Sequence, residues 1–143
     1  MNDVGYSGTP LVKKLGLKPG QAIAILDGPE GFDDTLGPLP AGVTVHRALT
    51  GPGIAADTRF DVVLFFTTTR AALTVLIAEV RPSMAPACGL WIAWPKRASG
   101  LPTELTDNVI RELALPTGLV DNKVCAVDAT WSGLRLVIRV ELR

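Results

Sequence analysis

The chain has 143 residues, of which 48% are hydrophobic and 20% charged, and its 14 basic residues balance its 14 acidic ones. This length fits one domain, so we expect residues 1–143 to share a single core. The mean hydropathy of +0.32 excludes a disordered chain and favours strands buried on both faces by helices. The zero net charge argues against nucleic acid and anionic membranes as partners.

Targeting signals and metal ligands are sparse in the sequence. The N-terminus has neither a basic region nor an apolar run, and no stretch reaches the roughly 20 apolar residues that span a bilayer, so we predict a cytoplasmic protein. Cys88 and Cys125 are far apart and are predicted to be buried free thiols. His46 is the one histidine, expected to be exposed, which removes most metal-site and Ser-His-Asp schemes. We predict no metal site.

The first part of the chain alternates short helices with strands. Thr9-Pro10 can begin a helix that Gly16 ends. The first strand is continuously apolar, as in the middle of a sheet, whereas the second alternates in polarity, as near an edge. The predicted elements are a helix over 11–15, a strand over 22–27, a helical turn over 30–36 and a strand over 43–48.

The middle of the chain contains the most apolar strands, FDVVLFFT over 60–67 and GLWIAWP over 89–95. A helix between them starts near Thr69 and ends before Pro82. A second helix follows, for which either Thr103 or Thr106 is the N-cap. The predicted core positions of the two helices are Leu73, Leu76, Ile77 and Val80 in the first, and Leu105, Val109, Ile110 and Leu113 in the second.

The chain ends in two predicted strands, over 123–130 and 134–142, joined tightly near Ser132-Gly133. That connection is too short for a crossover, so the pair must form an antiparallel hairpin. The preceding strands and helices alternate and require right-handed crossovers. The predicted fold class is α/β, a Rossmann-like three-layer fold with a mostly parallel sheet of about six strands that ends in the hairpin.

This order of elements resembles class I S-adenosylmethionine-dependent methyltransferases, and the segment 14–32, KLGLKPGQAIAILDGPEGF, is similar to the first strand and glycine loop of that fold. The resemblance implies a truncated, degenerate form with S-adenosylmethionine as a candidate cofactor. The loop over 27–32 has two glycines with an acid between them, where the fold has a Gly-x-Gly-x-Gly pattern. The second strand ends in His46-Arg47 instead of an acid, and one strand and one helix are missing between Leu49 and Phe60.

Three other segments resemble a small bacterial family of unknown function. They are YSGTPL over 6–11, WPK over 94–96 and KVCAVDATWSGL over 123–134. No activity follows from this resemblance.

Ligands of open α/β sheets bind beyond the carboxyl ends of the strands, where the strand order reverses. We expect the first and third strands to flank that point, and a polar N-terminal segment with Tyr6 to cover it. Arg70, Lys96 and Arg97 would favour a small anionic ligand beside a helix N-terminus. The candidate ligand-binding residues are Tyr6, Asp27, Gly28, Glu30, Gly31, Thr67, Thr68, Thr69, Arg70, Trp94, Lys96 and Arg97.

Each candidate also has a purely structural interpretation. The threonines can cap a helix, the cations can solvate a loop, Trp94 can be core packing rather than a stacking surface, and Tyr6 can belong to a docking strap. Asp27 and Glu30 are a candidate acid/base pair or two solvated carboxylates. Catalytic residues are not assigned.

Three functions follow from the sequence. The first is a non-catalytic methyltransferase-like domain that binds a small anionic ligand or a protein partner. The second is an active small-molecule methyltransferase with a divergent glycine loop. The third is a structural or assembly module, in which an exposed sheet edge allows a homo-oligomer.

Overall fold

The computed structural model describes residues 9–48 and 59–143. Tyr6 and the interval 49–58 lie outside the described residues. The helices are α1 (Leu11–Lys14), α2 (Phe32–Leu36), α3 (Arg70–Val80) and α4 (Asp107–Ala114). The strands are β1 (Ala22–Leu26), β2 (Thr44–Ala48), β3 (Phe60–Phe66), β4 (Met84–Pro95), β5 (Leu119–Ala126) and β6 (Trp131–Ile138). No helix in the two described ranges is long and apolar enough to cross a membrane.

The strands form a six-stranded sheet in the order β2-β1-β3-β4-β6-β5. The first four of these pair in parallel, whereas β6 is antiparallel to both β4 and β5. The predicted Rossmann-like α/β fold with a terminal hairpin is therefore confirmed. The expected edge position of the second strand is also confirmed, since β2 lies at one end of the order.

Each face of the sheet carries its own apolar cluster because side chains alternate along a strand. Ile23 and Ile25 of β1 belong to the cluster that contains α1 and α2. Ala24 and Leu26 of the same strand belong to the cluster that contains α3 and α4. The result is three layers with the sheet in the middle, as predicted.

The end of α1 is fixed to the sheet by one buried indole. Gly16, with φ +80°, follows α1 in a Schellman arrangement: its N–H donates to the carbonyl of Lys13, and the N–H of Leu17 donates to that of Val12. The carbonyl of Leu15 accepts a hydrogen bond of 3.1 Å from Nε1 of Trp91, which is fully buried in β4. The free carbonyl of a helix end is thereby satisfied inside the protein.

Threonine side chains cap both longer helices. Thr69 Oγ1 accepts from the N–H of Ala72 at 3.2 Å, which confirms the predicted start of α3. Of the two proposed caps for α4, Thr106 is the correct one, because its Oγ1 accepts from the N–H of Val109 at 3.2 Å. Thr103 instead accepts from the N–H of Leu105 and shapes the preceding loop.

The predicted hairpin turn at Ser132-Gly133 is wrong. These residues lie within β6, and the chain turns before them, where Oδ1 of Asp128 accepts from the N–H groups of Thr130 and Trp131, each at 2.8 Å. An aspartate that hydrogen-bonds residues two and three further on stabilises such a turn. Gly133 has a packing role, since a Cβ there would lie 3.1 Å from Cε3 of Trp91.

The limits of the last three strands also differ from those predicted. β4 begins five residues before the expected position 89. β5 begins and ends four residues earlier than the predicted 123–130, and β6 begins three residues before 134 and ends four residues before 142. The first part of β4 was not predicted because it contains Pro86, and a proline argues against a strand in the middle of a sheet. Met84, in this part of β4, pairs with Phe60 of β3, and a register shift separates this pair from the pairs that begin at Val62.

Replacing Trp91 by phenylalanine should lower the free energy of unfolding by about 2–4 kcal/mol, because it leaves a cavity and an unpaired buried carbonyl at Leu15. Chemical denaturation followed by far-UV circular dichroism measures this. Trp94→Phe is the matched control, since Trp94 is half-buried. Equal losses for the two variants would contradict the role of the indole hydrogen bond.

Candidate functional site

The carboxyl ends of the parallel strands lie side by side. Leu26 is the register partner of Phe65, and Phe66 is the partner of Ala93, so β1, β3 and β4 end at the same edge. The chain passes from β1 outward to β2 and then returns to the other side of β1 as β3, so the strand order reverses between β1 and β3. The sequence analysis placed the cleft at this reversal.

The loop from β1 to α2 is a tight turn in left-handed backbone conformations. Asp27 has φ +56° and Gly31 has φ +80°. Aspartate tolerates this region better than most side chains, and glycine adopts it without strain. A Cβ at Gly31 would meet nothing within 4 Å, so backbone conformation rather than space requires this glycine. Gly28 is limited by space, because its Cβ would lie 3.2 Å from Cγ2 of Ile25.

A groove of about 520 Å³ lies beside this loop, on the face that carries α2. This volume is within the range of small-molecule sites, roughly 300–1,000 Å³. We call it the acidic groove, because it contains two carboxylates and one cation. It is lined by Ile25, Gly28, Pro29, Gly31, Phe32, Asp33, Asp34 and Arg47.

The charged groups of the acidic groove come from α2 and β2. Nε of Arg47 lies 3.2 Å from Oδ1 of Asp33, and the two side chains are 50% and 66% exposed. An ion pair this exposed contributes little to stability, so Asp33 is available to a ligand at small cost. Asp34 is exposed next to it and has no ion pair among the described residues. The groove therefore offers carboxylate acceptors to a ligand.

Hydrogen bonds within the protein occupy backbone polar groups at the neighbouring end of β3. Thr67 is buried, and its N–H donates to the carbonyl of Ala93 at 3.0 Å. The carbonyl of Thr68 accepts from the N–H of Glu104 at 2.8 Å and from the hydroxyl of Thr103 at 3.3 Å.

Side chains of the protein also hydrogen-bond backbone N–H groups in the first turn of α3. Oε1 of Glu104 accepts from the N–H of Arg70 at 2.9 Å. Thr69, the N-cap, satisfies the N–H of Ala72. Two of the N–H groups expected to face an anionic ligand, those of Arg70 and Ala72, are thus bonded to a carboxylate and a threonine of the chain.

The remaining predicted residues do not line the acidic groove. Trp94 packs on the opposite face of the sheet, against the cluster with α3 and α4. The N–H of Lys96 donates to the carbonyl of Thr130, and Arg97 is exposed in a 3₁₀ turn. Glu30 is exposed and lies outside the groove lining. Binding of an anion by Arg70, Lys96 and Arg97 stays a prediction.

His46 is half-buried rather than exposed as expected. Its ring centroid lies 5.9 Å from that of Phe60, on the face of α3 and α4. Its Nε2 is buried, and among the described residues it has no hydrogen-bond partner. Because the acidic groove lies on the other face, His46 is not placed to act as a base there.

The two cysteines are free thiols, as predicted, with Cys88 buried and Cys125 half-buried. Burial, followed by the charge of Asp61, raises the pKa of Cys88 to about 12. Burial also raises the pKa of Cys125, against the opposing effect of Lys14 and Lys123. Both thiols are protonated at neutral pH, so neither is an activated nucleophile.

The sequence analysis missed the carboxylates of the groove and of the α3 cap. Asp33 and Asp34 directly follow the glycine loop, and this position was a usable signal. Glu104 gave none, because it is brought to α3 from 34 residues away along the chain. Arg47 was noted only as a departure from an expected acid, and its pairing with Asp33 depends on β2 lying beside β1.

Comparison with solved structures places this geometry among known folds. A SAM-dependent methyltransferase from Aquifex aeolicus superposes with a TM-score of 0.64 at 14% identity, over 90% of this chain and 88% of that one. Ribosomal protein L11 methylase from Lactobacillus delbrueckii subsp. bulgaricus gives 0.60 at 13%, over 90% and 74%. Neither a protein-family model nor a curated protein matches the sequence.

The chain has the fold of the S-adenosylmethionine-dependent methyltransferases. A third similar structure is Aeropyrum pernix fibrillarin in complex with natively bound S-adenosyl-L-methionine, with a TM-score of 0.58 at 13% identity over 93% of this chain and 70% of that one. The prediction that one strand and one helix are missing between Leu49 and Phe60 concerns mostly residues outside the described ranges. Within those ranges, β2 is the edge of the methyltransferase-like sheet.

Replacing Glu104 by glutamine should lower the free energy of unfolding by about 0.5–1 kcal/mol, because it removes the negative charge at the start of α3. Thermal or urea unfolding measures the change. Glu112→Gln is the control, since Glu112 is exposed on α4, after its first turn. If both variants unfold alike, the contact between Glu104 and Arg70 does not stabilise the helix.

Proposed function

We propose that this protein is a methyltransferase-fold domain that binds S-adenosylmethionine, or a related nucleoside, in the acidic groove without transferring the methyl group. One contrast supports the proposal. The groove beside β1 is open and carries carboxylates, whereas the end of β3 is hydrogen-bonded to Thr103 and Glu104. In this proposal the groove beside β1 is the cofactor side of the fold, and the neighbouring strand end is filled by the chain.

The residues of the groove fit the polar groups of such a nucleoside. Asp33 and Asp34 offer acceptors to the two hydroxyls of a ribose, and a carboxylate is among the strongest hydrogen-bond acceptors in proteins. The space beside Gly31 is open, so a ligand can approach the loop backbone. When bound, S-adenosylmethionine supplies an electrophilic methyl group on a positively charged sulfur, and the two carboxylates suit that charge.

Arg47 is the feature of this groove that we expect to weaken cofactor binding. It stands near the end of β2 and pairs with Asp33. A ligand that hydrogen-bonds Asp33 must compete with this guanidinium, which also offsets part of the attraction of the two carboxylates for a positively charged ligand. We therefore expect S-adenosylhomocysteine, whose thioether sulfur carries no charge, to bind about as well as S-adenosylmethionine.

The groups around the end of β3 support the proposed absence of methyl transfer. A transferase needs an acceptor held next to the methyl group and usually a base to take its proton. The carbonyl of Thr68 is already engaged by Thr103 and Glu104, and Thr67 is buried. The one histidine lies on the opposite face of the sheet.

The proposal predicts that the protein binds both nucleosides and that Asp33→Asn with Asp34→Asn weakens binding about tenfold or more, because two charged acceptors are lost. Isothermal titration calorimetry measures both affinities. The matched control is Glu79→Gln with Glu112→Gln, which removes two exposed carboxylates on the other face.

Two results would contradict parts of the proposal separately. No heat with wild-type protein at millimolar ligand would remove the binding function. Formation of S-adenosylhomocysteine during incubation of the protein with S-adenosylmethionine and a panel of small nucleophiles would show that the domain is an active enzyme.

A further inference from the structure

Two short turns meet at one corner of the sheet, where β5 begins and β6 ends. They are the 3₁₀ turns Leu115–Thr117, before β5, and Val140–Leu142, after β6. The N–H of Arg139 donates to the carbonyl of Gly118 at 3.0 Å, which joins the two segments. Leu142 packs over Gly118, because a Cβ on this glycine would lie 2.7 Å from Cδ1 of Leu142. The two turns therefore form one continuous surface at this corner.

Large apolar side chains of both turns are exposed on this surface. Leu115 is 46% exposed, Val140 is 75% exposed and Leu142 is 51% exposed. A single exposed leucine or valine is ordinary, whereas three on two adjoining turns form a cluster. We call these three residues the apolar patch. Because removing apolar area from water is favourable, a partner that covers the apolar patch is stabilised there.

Charged side chains of both signs lie beside the apolar patch. Nε of Arg81 donates to the carbonyl of Thr117 at 3.4 Å, which places this guanidinium at the first turn. Nε of Arg143 donates to the carbonyl of Ile138 at 2.8 Å, next to the second turn. Each guanidinium has further N–H donors for a carboxylate. Glu141 is exposed in the middle of the second turn, so one surface carries both cations and an acid.

A surface that carries both signs of charge is complementary to a second copy of itself. In a two-fold dimer the same patch is used by both protomers, so Glu141 of each can reach the arginines of the other. The two apolar patches are then buried in the centre and the charges form the rim, which is the usual anatomy of an interface. A negatively charged membrane is less suitable, because Glu141 is repelled by it.

The neighbouring edge of the sheet is less suited to pairing with a second copy. β5 is the last strand in the sheet order. A register shift between Asp121 and Lys123 interrupts its pairing with β6, and Lys123 is exposed. Irregular edge strands that carry lysine oppose edge-to-edge association. A second copy is therefore expected at the two turns and not as an extension of the sheet.

We infer that this corner is a homodimer interface, in which the apolar patches of two copies pack together across a two-fold axis. Three apolar side chains from each protomer make a small interface, so we expect a dissociation constant in the micromolar range. The inference does not depend on the proposed nucleoside site, because the acidic groove lies at the opposite edge of the sheet.

Sedimentation equilibrium of the full chain over a series of concentrations tests the inference. We expect the mass of the wild type to rise with concentration from 15.1 kDa toward twice that value. Val140→Asp should weaken dimerisation by about tenfold or more, because it places a charge inside the buried apolar patch. The matched control is Val124→Asp on β5, where the valine is 58% exposed, and it should dimerise like the wild type. Far-UV circular dichroism checks that both variants fold.

Charge reversal tests the two-fold contact itself. Glu141→Arg leaves only arginines at positions 139, 141 and 143, whereas Arg139→Glu with Arg143→Glu leaves only glutamates there. Each variant alone repels its own copy and should dimerise at least about tenfold more weakly than the wild type. An equimolar mixture of the two should dimerise again, because every glutamate then faces an arginine.

Three results would overturn the inference. One is a wild type that stays at 15.1 kDa at every concentration. Another is loss of the dimer in Val124→Asp but not in Val140→Asp, which would place the contact on the strand edge. The third is a monomer that sediments with vesicles containing phosphatidylserine, which would assign the corner to a membrane. Val140→Asp should bind S-adenosylhomocysteine like the wild type, which keeps this test separate from that of the nucleoside site.

Discussion

The parallel pairing of β1, β3 and β4 is the constraint on which every site in this protein depends. These strands are buried on both faces, so their backbone N–H and C=O groups must be satisfied by neighbouring strands of the sheet, and the pattern of buried side chains fixes the register. Once Leu26 stands beside Phe65 and Phe66 beside Ala93, the loops that follow must meet at one edge. The acidic groove exists because β2 then turns Arg47 toward the loop after β1.

The polar groups at two adjacent strand ends of this edge differ in their partners. After β3, Glu104 and Thr103 hydrogen-bond the backbone of Arg70 and Thr68, which indicates a structural role. After β1, the loop leaves a groove with exposed carboxylates, which suits a ligand. A groove at the opposite edge is lined by cations, among them Lys18, Lys123 and Arg135. A chain without net charge can thus carry local clusters of either sign, which the net charge alone does not reveal.

Prediction from the sequence succeeded where one physical signal dominated. The apolar run at 62–66 is typical of a buried strand, and Gly16 and Thr69 mark helix ends because backbone geometry and unpaired N–H groups need such residues there. It failed where one residue type has two uses. Ser132-Gly133 looks like a turn, yet Gly133 is small because Trp91 packs over it. The first part of β4 contains Pro86, which argues against a strand in the sequence although the structure has one there.

The sequence by itself determined the layered α/β architecture, the terminal hairpin and the edge at which β1, β3 and β4 end, because these follow from local hydrophobic patterns and connection lengths. It did not determine which side chains meet. The pairing of Arg47 with Asp33, the cap that Glu104 places on α3 and the convergence of Lys18, Lys123 and Arg135 each join residues distant in sequence. Only the tertiary structure decided them, since electrostatic contacts depend on distances in space that no local pattern encodes.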